Sequence, residues 1–413
     1  MRTLDQVVQH TIRALSLLRG ETAARALAVQ LVRRIDELDT IGYTHLFDHL
    51  LHEHGADFTQ VDQAIAAYQA EPSPDAIADL ADATETSRLR LFRTINTAPG
   101  GIGCLLRLRA ELRKSLRESP EYKPIDRDLR HLLSSWFNRG FLEMRQLDWT
   151  TPAHILEKLI EYEAVHEIRG WDDLRRRLAP DRRSFGFFHP LLPDEPIIFV
   201  EVALRTGMAT SIESIIDQPA AEIDETVDTA IFYSITNCQQ GLSGISFGNF
   251  LIKQVTECLG EQLPQLDTFA TLSPVPGLRR WVEAEDRDID VSDQAAVVSA
   301  CAQYLLSAKR RDLPLDPVAR FHLRNGARLE QINWEGDKSE KGTAESYGLL
   351  VNYRYSGQDH DANRDALEID GVVIASEAVI EQAGPDLDPL CVAVSPTQVA
   401  ERANVGHAGP TTE

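Results

Sequence analysis

The feature that most constrains the fold is a change in hydrophobic periodicity along the chain. In the first third, apolar residues recur at helical spacing, as Leu27, Leu31 and Ile35 do. From Phe185 onward, short runs of β-branched and aromatic residues indicate strands instead. The sequence therefore predicts an all-helical domain over residues 1–135, followed over 136–385 by a domain that mixes strands and helices, an α+β organisation.

The limits of the predicted segments follow from the periodicity and from Gly and Pro breaks. The predicted helices cover residues 75–96, 129–144, 151–163, 211–216, 248–259, 293–308 and 317–323. The predicted strands cover residues 185–189, 197–202, 230–235, 266–272 and 347–355, with another inside 366–375. The segment after Gly384 is rich in Pro, Ala and Gly, so we expect residues 386–413 to be a loosely ordered tail.

The balance of charges disfavours some classes of partner. Lys and Arg total 42 and Asp and Glu total 64, which gives a formal net charge of −22. Nucleic acids and anionic membranes are bound through cationic surface, so neither is expected as a partner. An anionic ligand then requires a local basic pocket or backbone N–H donors. The sequence lacks a run of about 18 apolar residues, so no membrane span is expected.

Cysteine and histidine patterns bear on the compartment and on metal binding. The five cysteines are scattered and form no CxxC pair, which favours the reducing cytosol. His45, His49, His52 and His54 stand close together, and the first two share a helix face, where zinc could bind. Because the pattern lacks an HExxH motif and an acidic or cysteine ligand set, we interpret it as a surface histidine run and assign no metal.

The most informative stretch runs from a predicted strand, through a loop that contains Gly241, Gly244 and Gly248, into a helix. Glycine lets the backbone approach a ligand, and a helix N-terminus presents free N–H groups to phosphate. Neither the Walker lysine pattern nor GxGxxG occurs here. A tight strand-to-helix turn therefore explains the loop about as well as a phosphate site.

Two further segments carry side chains capable of acid–base or nucleophilic chemistry. Ser273 follows a predicted strand and lies in a loop stiffened by two prolines, which fixes the hydroxyl in space. His322 stands just before the helix-stopping pair Asn325-Gly326. Each residue has a structural alternative, a capping serine and a hydrogen-bonded structural histidine. Spacing alone does not bring the two residues together.

Several segments, taken in order, resemble the malonyl-CoA decarboxylase family. Between about Trp149 and Tyr355 the matching segments are Thr229–Ile235, Gln239–Gly241, Ser273–Gly277, Phe321–Ala327, Ile332–Trp334 and Val351–Tyr355. The resemblance implies a helical N-terminal domain followed by a catalytic domain of the GNAT (N-acetyltransferase-like) type. It also implies conversion of malonyl-CoA to acetyl-CoA and carbon dioxide by a homo-oligomer, a tetramer built as a dimer of dimers.

The resemblance also assigns site residues. The family's catalytic serine and histidine fall on Ser273 and His322, and polar positions near its acyl site match Ser234 and Tyr355. Its CoA-binding loop falls on Ser243, Gly244, Ile245, Ser246, Phe247, Gly248 and Asn249, with Ile252 one helical turn later. We add Asn325 as a supporting donor. Animal relatives carry an acidic residue where this chain has Ser246, so no role is expected for that carboxylate here.

The chemistry of this reaction sets requirements for the site. Loss of carbon dioxide leaves negative charge on the α-carbon, delocalised onto the thioester oxygen. The thioester is itself an electron sink, so no metal or organic cofactor is expected. We assign proton donation to His322, directly or through Ser273, which holds the malonyl carboxylate or relays the proton. The disfavoured alternative is a nucleophilic Ser273, because decarboxylation needs no acyl-enzyme.

Two other functions fit the same residues. One is acyl transfer from acyl-CoA to an amine on the same fold, and the other is non-catalytic binding of acyl-CoA. Release of carbon dioxide from malonyl-CoA without an acceptor separates the decarboxylase from both. The chain shows no leader of the animal type and ends in Thr411-Thr412-Glu413 rather than Ser-Lys-Leu, so we expect a bacterial cytoplasmic form.

Overall fold

The computed structural model describes residues 3–17, 20–245 and 250–407. The chain divides into two compact units. The helical unit contains Met1–Glu143, Phe188–Ile197 and Asn237–Phe247, and the sheet unit contains Met144–Phe187, Ile198–Thr236 and Gly248–Glu413. The first of these boundaries lies at Glu143, against residue 135 for the boundary predicted from the sequence.

The helical unit is built around helix α7. Its helices are α1 (Leu4–Leu17), α2 (Glu21–Asp36), α3 (Thr40–Glu53), α4 (Phe58–Ala70), α5 (Pro74–Thr84), α6 (Ser87–Asn96), α7 (Gly101–Ser115) and α8 (Lys123–Trp136). Apolar residues of α7, among them Ile102, Leu105 and Leu108, are buried against α2, α3, α6 and α8. The first residue of α7, Gly101, has no room for a side chain, because a Cβ at this position would lie 1.9 Å from the Ile95 carbonyl oxygen.

Two helices predicted in this unit have different limits. Residues 75–96 form α5 and α6 separately, because Glu85 and Thr86 are extended and the Thr86 hydroxyl donates to the Asp128 carboxylate. The helix predicted at 129–144 is α8, which begins at Lys123, with Pro124 in its first turn, and ends at Trp136. The first difference depends on a contact with a residue that is distant in sequence, and the second depends on the residues at the helix ends. Hydrophobic periodicity reveals neither.

Gly241, the first glycine of the predicted loop, packs against α7 within the helical unit. A Cβ at Gly241 would lie 2.2 Å from the Leu106 carbonyl oxygen. The buried side chain of Arg109 donates to the Gly241 carbonyl at 2.5 Å, and its Nε donates to Asp126 at 2.8 Å. The glycine at this position is therefore required by close packing of two backbone segments.

The sheet unit contains a mixed sheet and two small two-stranded sheets. The first four strands each have end residues that belong to the helical unit, and the others lie wholly in the sheet unit. The strands are β1 (Glu143–Leu147), β2 (Arg182–His189), β3 (Leu192–Arg205), β4 (Thr229–Asn237), β5 (Thr268–Thr271), β6 (Ser273–Pro274), β7 (Lys309–Arg310), β8 (Leu313–Pro314), β9 (Arg328–Asn333), β10 (Leu350–Tyr355), β11 (Val373–Ile374) and β12 (Val392–Ala393). The order in the main sheet is β1–β2–β3–β4–β5–β10–β6, and β9 also pairs with β10. Strands β4 and β5 are parallel, whereas β10 is antiparallel to β5, β6 and β9.

Helices surround this sheet in the second unit. They are α9 (Ala153–Tyr162), α10 (Trp171–Arg177), α11 (Glu213–Ile216), α12 (Phe250–Gln262), α13 (Leu278–Ala284), α14 (Gln294–Ser307), α15 (Pro317–Arg324), α16 (Glu340–Ser346), α17 (His360–Asp370), α18 (Glu377–Ala383) and α19 (Pro396–His407). A core cluster joins sheet residues such as Ile231, Ala270 and Leu350 to Ile212 and Ile215 beside α11. The core therefore lies between the sheet and its covering segments.

The last part of the chain differs from the expected loosely ordered tail. Strand β12 pairs in parallel with β11, and α19 follows it. Ala393 and Val399 are buried in a cluster with Ala366, Val372 and Ile374. These few apolar residues hold the segment 389–407 against the sheet unit despite its composition. The strand predicted inside residues 366–375 is present as Val373–Ile374, after α17 ends at Asp370.

The α+β organisation predicted from the sequence is confirmed. A helical N-terminal region precedes a domain with a mixed sheet. The strands predicted around residues 185–189, 197–202, 230–235, 266–272 and 347–355 are all present as β2, β3, β4, β5 and β10. Over the described part of the chain, no helix is both long enough and apolar enough to cross a lipid bilayer.

Two glycine substitutions test the packing of Gly241. Gly241→Ala should lower the free energy of unfolding by about 2 kcal/mol, because the new methyl group meets the Leu106 backbone. The matched control is Gly260→Ala in α12, where a Cβ meets no heavy atom within 4 Å. Alanine there should be neutral or stabilising by up to about 1 kcal/mol. Urea unfolding of both variants makes the comparison, and equal effects would contradict the packing argument.

Candidate active site

Ser273 lies where one strand of the sheet is interrupted. Strand β5 ends at Thr271, the N–H of Leu272 donates to the Phe232 carbonyl of β4 at 2.9 Å, and β6 then resumes pairing with β10. Ser273 lies opposite Val351 in the same register that β5 has with β10. Ser273 is buried at this point, with 5% of the residue exposed.

Side chains replace the missing backbone hydrogen bonds at this interruption. The N–H of Tyr353 donates to Thr271 Oγ1 at 3.2 Å instead of to a carbonyl oxygen. The Thr271 carbonyl accepts from Asn352 Nδ2 at 2.7 Å, and the same amide nitrogen donates to the Ala209 carbonyl at 3.0 Å. Asn333 in turn donates to Asn352 Oδ1 at 2.7 Å. Because all five residues of this network are buried, it holds the segment around Ser273 firmly in place.

His322 is positioned by helix α15. Asp316 caps the helix, and its Oδ1 accepts from the N–H groups of Val318 and Ala319, each at 2.9 Å. The other oxygen of Asp316 accepts from the N–H of Gly277 at 3.3 Å. Asp316 therefore connects the loop after Ser273 to the helix that carries His322. The helix ends at the predicted Asn325-Gly326 pair, where Gly326 adopts φ +76°.

The structure brings Ser273, His322 and Tyr355 together in one hydrogen-bonded chain. Ser273 Oγ lies 3.1 Å from His322 Nε2, and His322 Nδ1 lies 2.8 Å from the Tyr355 hydroxyl. Ser273 also donates to Thr271 Oγ1 at 2.8 Å. The imidazole stacks on the Tyr353 ring with centroids 4.7 Å apart and planes inclined by 22°. Two stretches of chain that are 49 residues apart therefore form a single buried site.

The hydrogen bonds select one tautomer of His322. If the Ser273 proton points to Thr271, Nε2 of His322 must be the donor to Ser273, because each hydroxyl has only one proton. Nδ1 is then the acceptor for the Tyr355 hydroxyl. The Tyr355 hydroxyl therefore donates to His322 Nδ1, His322 Nε2–H donates to Ser273, and the Ser273 hydroxyl donates to Thr271. This assignment follows from the hydrogen-bond network.

Burial fixes the charge of these groups. Desolvation lowers the pKa of His322 to about 3, so the imidazole is neutral near pH 7. Desolvation also raises the pKa of the Tyr355 and Tyr353 hydroxyls well above the usual value, so both stay protonated. Ser273, His322 and Tyr355 are therefore uncharged near pH 7 in the free protein, and an anion placed beside the imidazole would raise the pKa of His322.

Two other predicted site residues have different partners. Ser234 donates to Glu163 Oε2 at 2.7 Å and lies 3.2 Å from Thr236 Oγ1. The second oxygen of Glu163 accepts from the N–H groups of Val165 and His166. Asn325 donates its side-chain amide to the Phe321 carbonyl at 2.8 Å, so this amide serves the end of α15.

The predicted CoA-binding residues fall in different parts of the structure. Ser246, Phe247, Gly248 and Asn249 lie outside the described residues. Ser243, Gly244 and Ile245 belong to the helical unit, where Arg113 donates to Ser243 Oγ at 3.1 Å and Gly244 adopts φ +78°. Ile252 belongs to α12 of the sheet unit and is buried.

Strands β4 and β5 pair over only part of their length. Thr229 to Phe232 of β4 match Thr268 to Thr271 of β5, and β4 then continues to Asn237 beyond the last paired residue. At the same point β5 gives way to the interruption before Ser273. The parallel pairing of the two strands thus ends next to Ser273, which is hydrogen-bonded to His322.

The sequence interpretation missed several residues that position the site. Thr271, Asn333, Asn352 and Tyr353 are buried polar or aromatic residues that hold Ser273 and His322. Asn352 offered a signal, because an amide inside the apolar strand 347–355 needs buried partners. Thr271 stands two residues before Ser273 and so faces the same side of the strand.

The histidine run in α3 has protein partners. His45 bonds Asp5 at 2.9 Å, His52 bonds the Asp48 carbonyl at 2.8 Å, and His54 bonds Ser87 at 3.2 Å. His49 and His54 are buried, with rings 5.0 Å apart in an edge-to-face arrangement. In residues 3–17, 20–245 and 250–407, no group of three or more His, Cys, Asp or Glu side chains is arranged to hold a metal ion.

The family profile described as "Malonyl-CoA decarboxylase C-terminal domain" matches residues 140–299 and 288–392, and the profile of the N-terminal domain matches 54–137. The chain belongs to the malonyl-CoA decarboxylase family. The matches cover both units of the structure, so the family assignment applies to the helical unit as well as to the sheet unit.

Individual members of the family are similar over most of the chain. The mitochondrial malonyl-CoA decarboxylase of Anser anser anser is 36% identical over 348 residues, which are 71% of this chain and 69% of that protein. The crystal structures of malonyl-CoA decarboxylases from Rhodopseudomonas palustris and Agrobacterium vitis are each 42% identical, with TM-scores of 0.86 and 0.87. Each similarity covers 92% of this chain and 100% of the crystallised chain.

The low pKa of His322 predicts a pH dependence of stability. Its pKa is about 3 in the folded protein, against 6.5 for an unperturbed histidine. Below pH 6.5 the unfolded chain gains a proton that the folded chain does not, so stability present above pH 6.5 is lost as the pH falls towards 3. Between pH 7 and pH 4.5 this loss amounts to about 2–3 kcal/mol for one histidine.

Urea unfolding at several pH values measures that loss. His322→Gln cannot take up the proton, so its free energy of unfolding should fall less steeply with decreasing pH than that of the wild type. His131→Gln, at an exposed position on α8, is the matched control and should keep the wild-type slope. Equal slopes for His322→Gln and the wild type would contradict a neutral, buried imidazole.

Proposed function

We propose that this protein is a malonyl-CoA decarboxylase, which converts malonyl-CoA to acetyl-CoA and carbon dioxide. The proposal rests on the buried, hydrogen-bonded side chains of Ser273, His322 and Tyr355 in a member of this family. Ser273 and His322 present a hydroxyl and an imidazole at one interior point, beside the place where the pairing of β4 with β5 ends. An enolate protonated at that point would complete the reaction.

The proposed mechanism uses the neutral state of His322. The bound malonyl carboxylate would place a negative charge beside the imidazole, and a nearby opposite charge raises the pKa of a histidine. His322 would then take up one proton from solvent as the substrate binds. Loss of carbon dioxide breaks the bond to the carboxyl carbon and leaves the electron pair on the thioester enolate. The proton then passes from His322, through the Ser273 hydroxyl or directly, to the α-carbon.

Tyr355 and Thr271 have supporting roles in this mechanism. The Tyr355 hydroxyl accepts the Nδ1–H of the imidazolium, which requires only that the phenol rotates its proton. Thr271 directs the Ser273 hydroxyl away from His322 until the substrate arrives. A donor aimed at a developing oxyanion is worth on the order of 10²–10³ in rate, and general acid catalysis about 10²–10⁴.

Domain roles are part of the proposal. Residues 136–385 would form the GNAT-like catalytic domain, with Ser243 to Asn249 and Ile252 as the CoA-binding residues. Residues 1–135 would form the oligomerisation domain of a homotetramer built as a dimer of dimers. Helices α4 and α5 support this role, because neither contains a buried residue and Phe58 and Ile77 are 81% and 56% exposed. Exposed apolar side chains on one helical hairpin are typical of an interaction surface.

The compartment is inferred from the cysteines. All five, Cys104, Cys238, Cys258, Cys301 and Cys391, have free thiols in the structure. Free thiols of this kind are typical of proteins kept in a reducing environment. We therefore place the protein in the cytoplasm, with malonyl-CoA and acetyl-CoA as its small-molecule partners.

A substitution at His322 tests the reaction and the role of the imidazole. His322→Asn should lower kcat for release of carbon dioxide from malonyl-CoA by about 10²–10⁴, because the proton donor is lost. Binding of CoA, measured by calorimetry, should change by less than about threefold, since the buried imidazole is assigned to the acyl group and not to the CoA phosphates. His131→Asn, at an exposed position, is the control and should leave both quantities unchanged.

Two outcomes would contradict the proposal. Wild-type protein that releases no carbon dioxide from malonyl-CoA without an acceptor would favour an acyltransferase or a binding protein. His322→Asn with most of its activity would remove the imidazole from the mechanism. Mass spectrometry of the quenched wild-type reaction should detect no acyl group on Ser273, and such an adduct would favour a nucleophilic serine.

A further inference from the structure

A basic cavity lies at the β1 edge of the main sheet. Tyr355, which is hydrogen-bonded to His322, lies on β10 towards the other edge. The volume of the cavity is about 600 Å³, and it is lined by residues of β1, α10, β2 and the segments that follow β1 and α10. In the strand order β1–β2–β3–β4–β5–β10, strands β1 and β2 stand at the end away from β10. We call it the arginine cavity and define it by Trp149, Arg175, Arg176, Arg182, Arg183 and Ser184.

The arginine cavity concentrates positive charge in a chain of formal net charge −22. Arg176 and Arg182 each form a salt bridge with Asp181 at 2.9 Å. Arg183 donates only to the carbonyls of Pro180 and Arg182, and Arg175 lies against an aromatic ring. Within residues 3–17, 20–245 and 250–407, neither Arg175 nor Arg183 forms a salt bridge.

Two carboxylates, Asp148 and Asp172, also line the arginine cavity and offset part of the charge of its four arginines, but neither forms a salt bridge with Arg175 or Arg183 within the described residues. Asp148 accepts from the N–H and the hydroxyl of Thr150 in its own turn, at 2.7 and 2.6 Å. Asp172 lies in the first turn of α10 and is exposed to solvent. The two arginines without a salt bridge therefore remain available to an anion.

Buried polar atoms in the arginine cavity lack partners within the described residues. Ser184 is 1% exposed, and its hydroxyl has no hydrogen-bond partner. The Nε of Arg183 is also buried without a partner. Buried polar groups are nearly always hydrogen-bonded, so such atoms in the wall of a cavity point to a ligand that supplies acceptors. Both atoms can donate, which fits an anionic oxygen.

An aromatic surface completes the arginine cavity. Trp149 is 48% exposed, and the guanidinium of Arg175 lies 5.8 Å from its ring centroid. Indole and guanidinium planes both stack on flat heteroaromatic rings. The arginine cavity thus combines a stacking surface with donors for an anion, and its volume lies in the range of about 300–1,000 Å³ that is typical of pockets for small organic ligands.

We propose that the arginine cavity is a second ligand site and that it binds a nucleoside phosphate. The base stacks on Trp149, and the phosphate oxygens accept from Arg175, Arg183 and Ser184. The site lies at the other edge of the sheet from Ser273 and His322, so its occupant does not take part in the decarboxylation. It is also distinct from Ser243 to Asn249 and Ile252, which are proposed to bind CoA.

Calorimetry with ADP and with pyrophosphate tests the proposal on the full chain. ADP should bind the wild type even with saturating CoA present, because the two ligands occupy different sites. Trp149→Leu should raise the Kd for ADP at least about tenfold and leave the Kd for pyrophosphate unchanged, since only the base stacks. Arg175→Met should raise both Kd values at least about tenfold. Both residues are exposed, so these variants should fold normally.

Controls separate this site from general charge effects and from the reaction. Arg130→Met removes an exposed arginine of α8 and should leave both Kd values unchanged. Ser184→Ala removes a buried hydroxyl without a partner, so it should weaken ADP binding without lowering the melting temperature. In the absence of ADP, all four variants should release carbon dioxide from malonyl-CoA at the wild-type rate within about twofold.

Several results would overturn the proposal independently of the proposed activity. They are absence of ADP binding at millimolar concentration, complete displacement of ADP by CoA, or equal ADP affinity in Trp149→Leu, Arg175→Met and the wild type. Displacement by CoA would assign ADP to the CoA site. Failure of the decarboxylation assay leaves these binding measurements valid, so the two proposals can fail separately.

Discussion

The site depends on one replaced backbone hydrogen bond. Where β5 gives way to Ser273, the N–H of Tyr353 bonds the side-chain oxygen of Thr271 instead of a carbonyl oxygen. The freed carbonyl of Thr271 is satisfied by the amide of Asn352. Since an unpaired backbone group inside the protein costs about 1–3 kcal/mol, these side chains make the interruption of the strand possible. Directly after the interruption, the Ser273 hydroxyl lies 3.1 Å from the imidazole of His322.

Burial of that contact decides the charge of the site before any ligand binds. An imidazole held between Ser273 and Tyr355 and stacked on Tyr353 is desolvated, and its pKa falls to about 3. A neutral histidine is a weak acid, so a mechanism that needs a proton donor must couple protonation to the arrival of a carboxylate. In the proposed mechanism, this coupling would confine the acid form of His322 to the complex with an anionic substrate.

Local sequence patterns predicted much of the fold, but not the residues that hold Ser273 and His322 in place. His322 lies in a helix that ends before Asn325-Gly326, as expected, whereas Ser273, which was expected in a loop, lies in the short strand β6. Thr271 and Asn352 act through pairing between strands 81 residues apart, which no local pattern reports. The helix break at Thr86 likewise depends on the distant Asp128, and the ordering of residues 389–407 depends on a few buried residues such as Val399.

Proton uptake on ligand binding tests the central claim most directly. A malonyl-CoA analogue that keeps the carboxylate but cannot decarboxylate is titrated into the protein near pH 7, in buffers of different ionisation enthalpy. The mechanism predicts uptake approaching one proton per site in the wild type and none in His322→Asn. Binding without proton uptake in the wild type, or with equal uptake in both proteins, would contradict substrate-coupled protonation of His322.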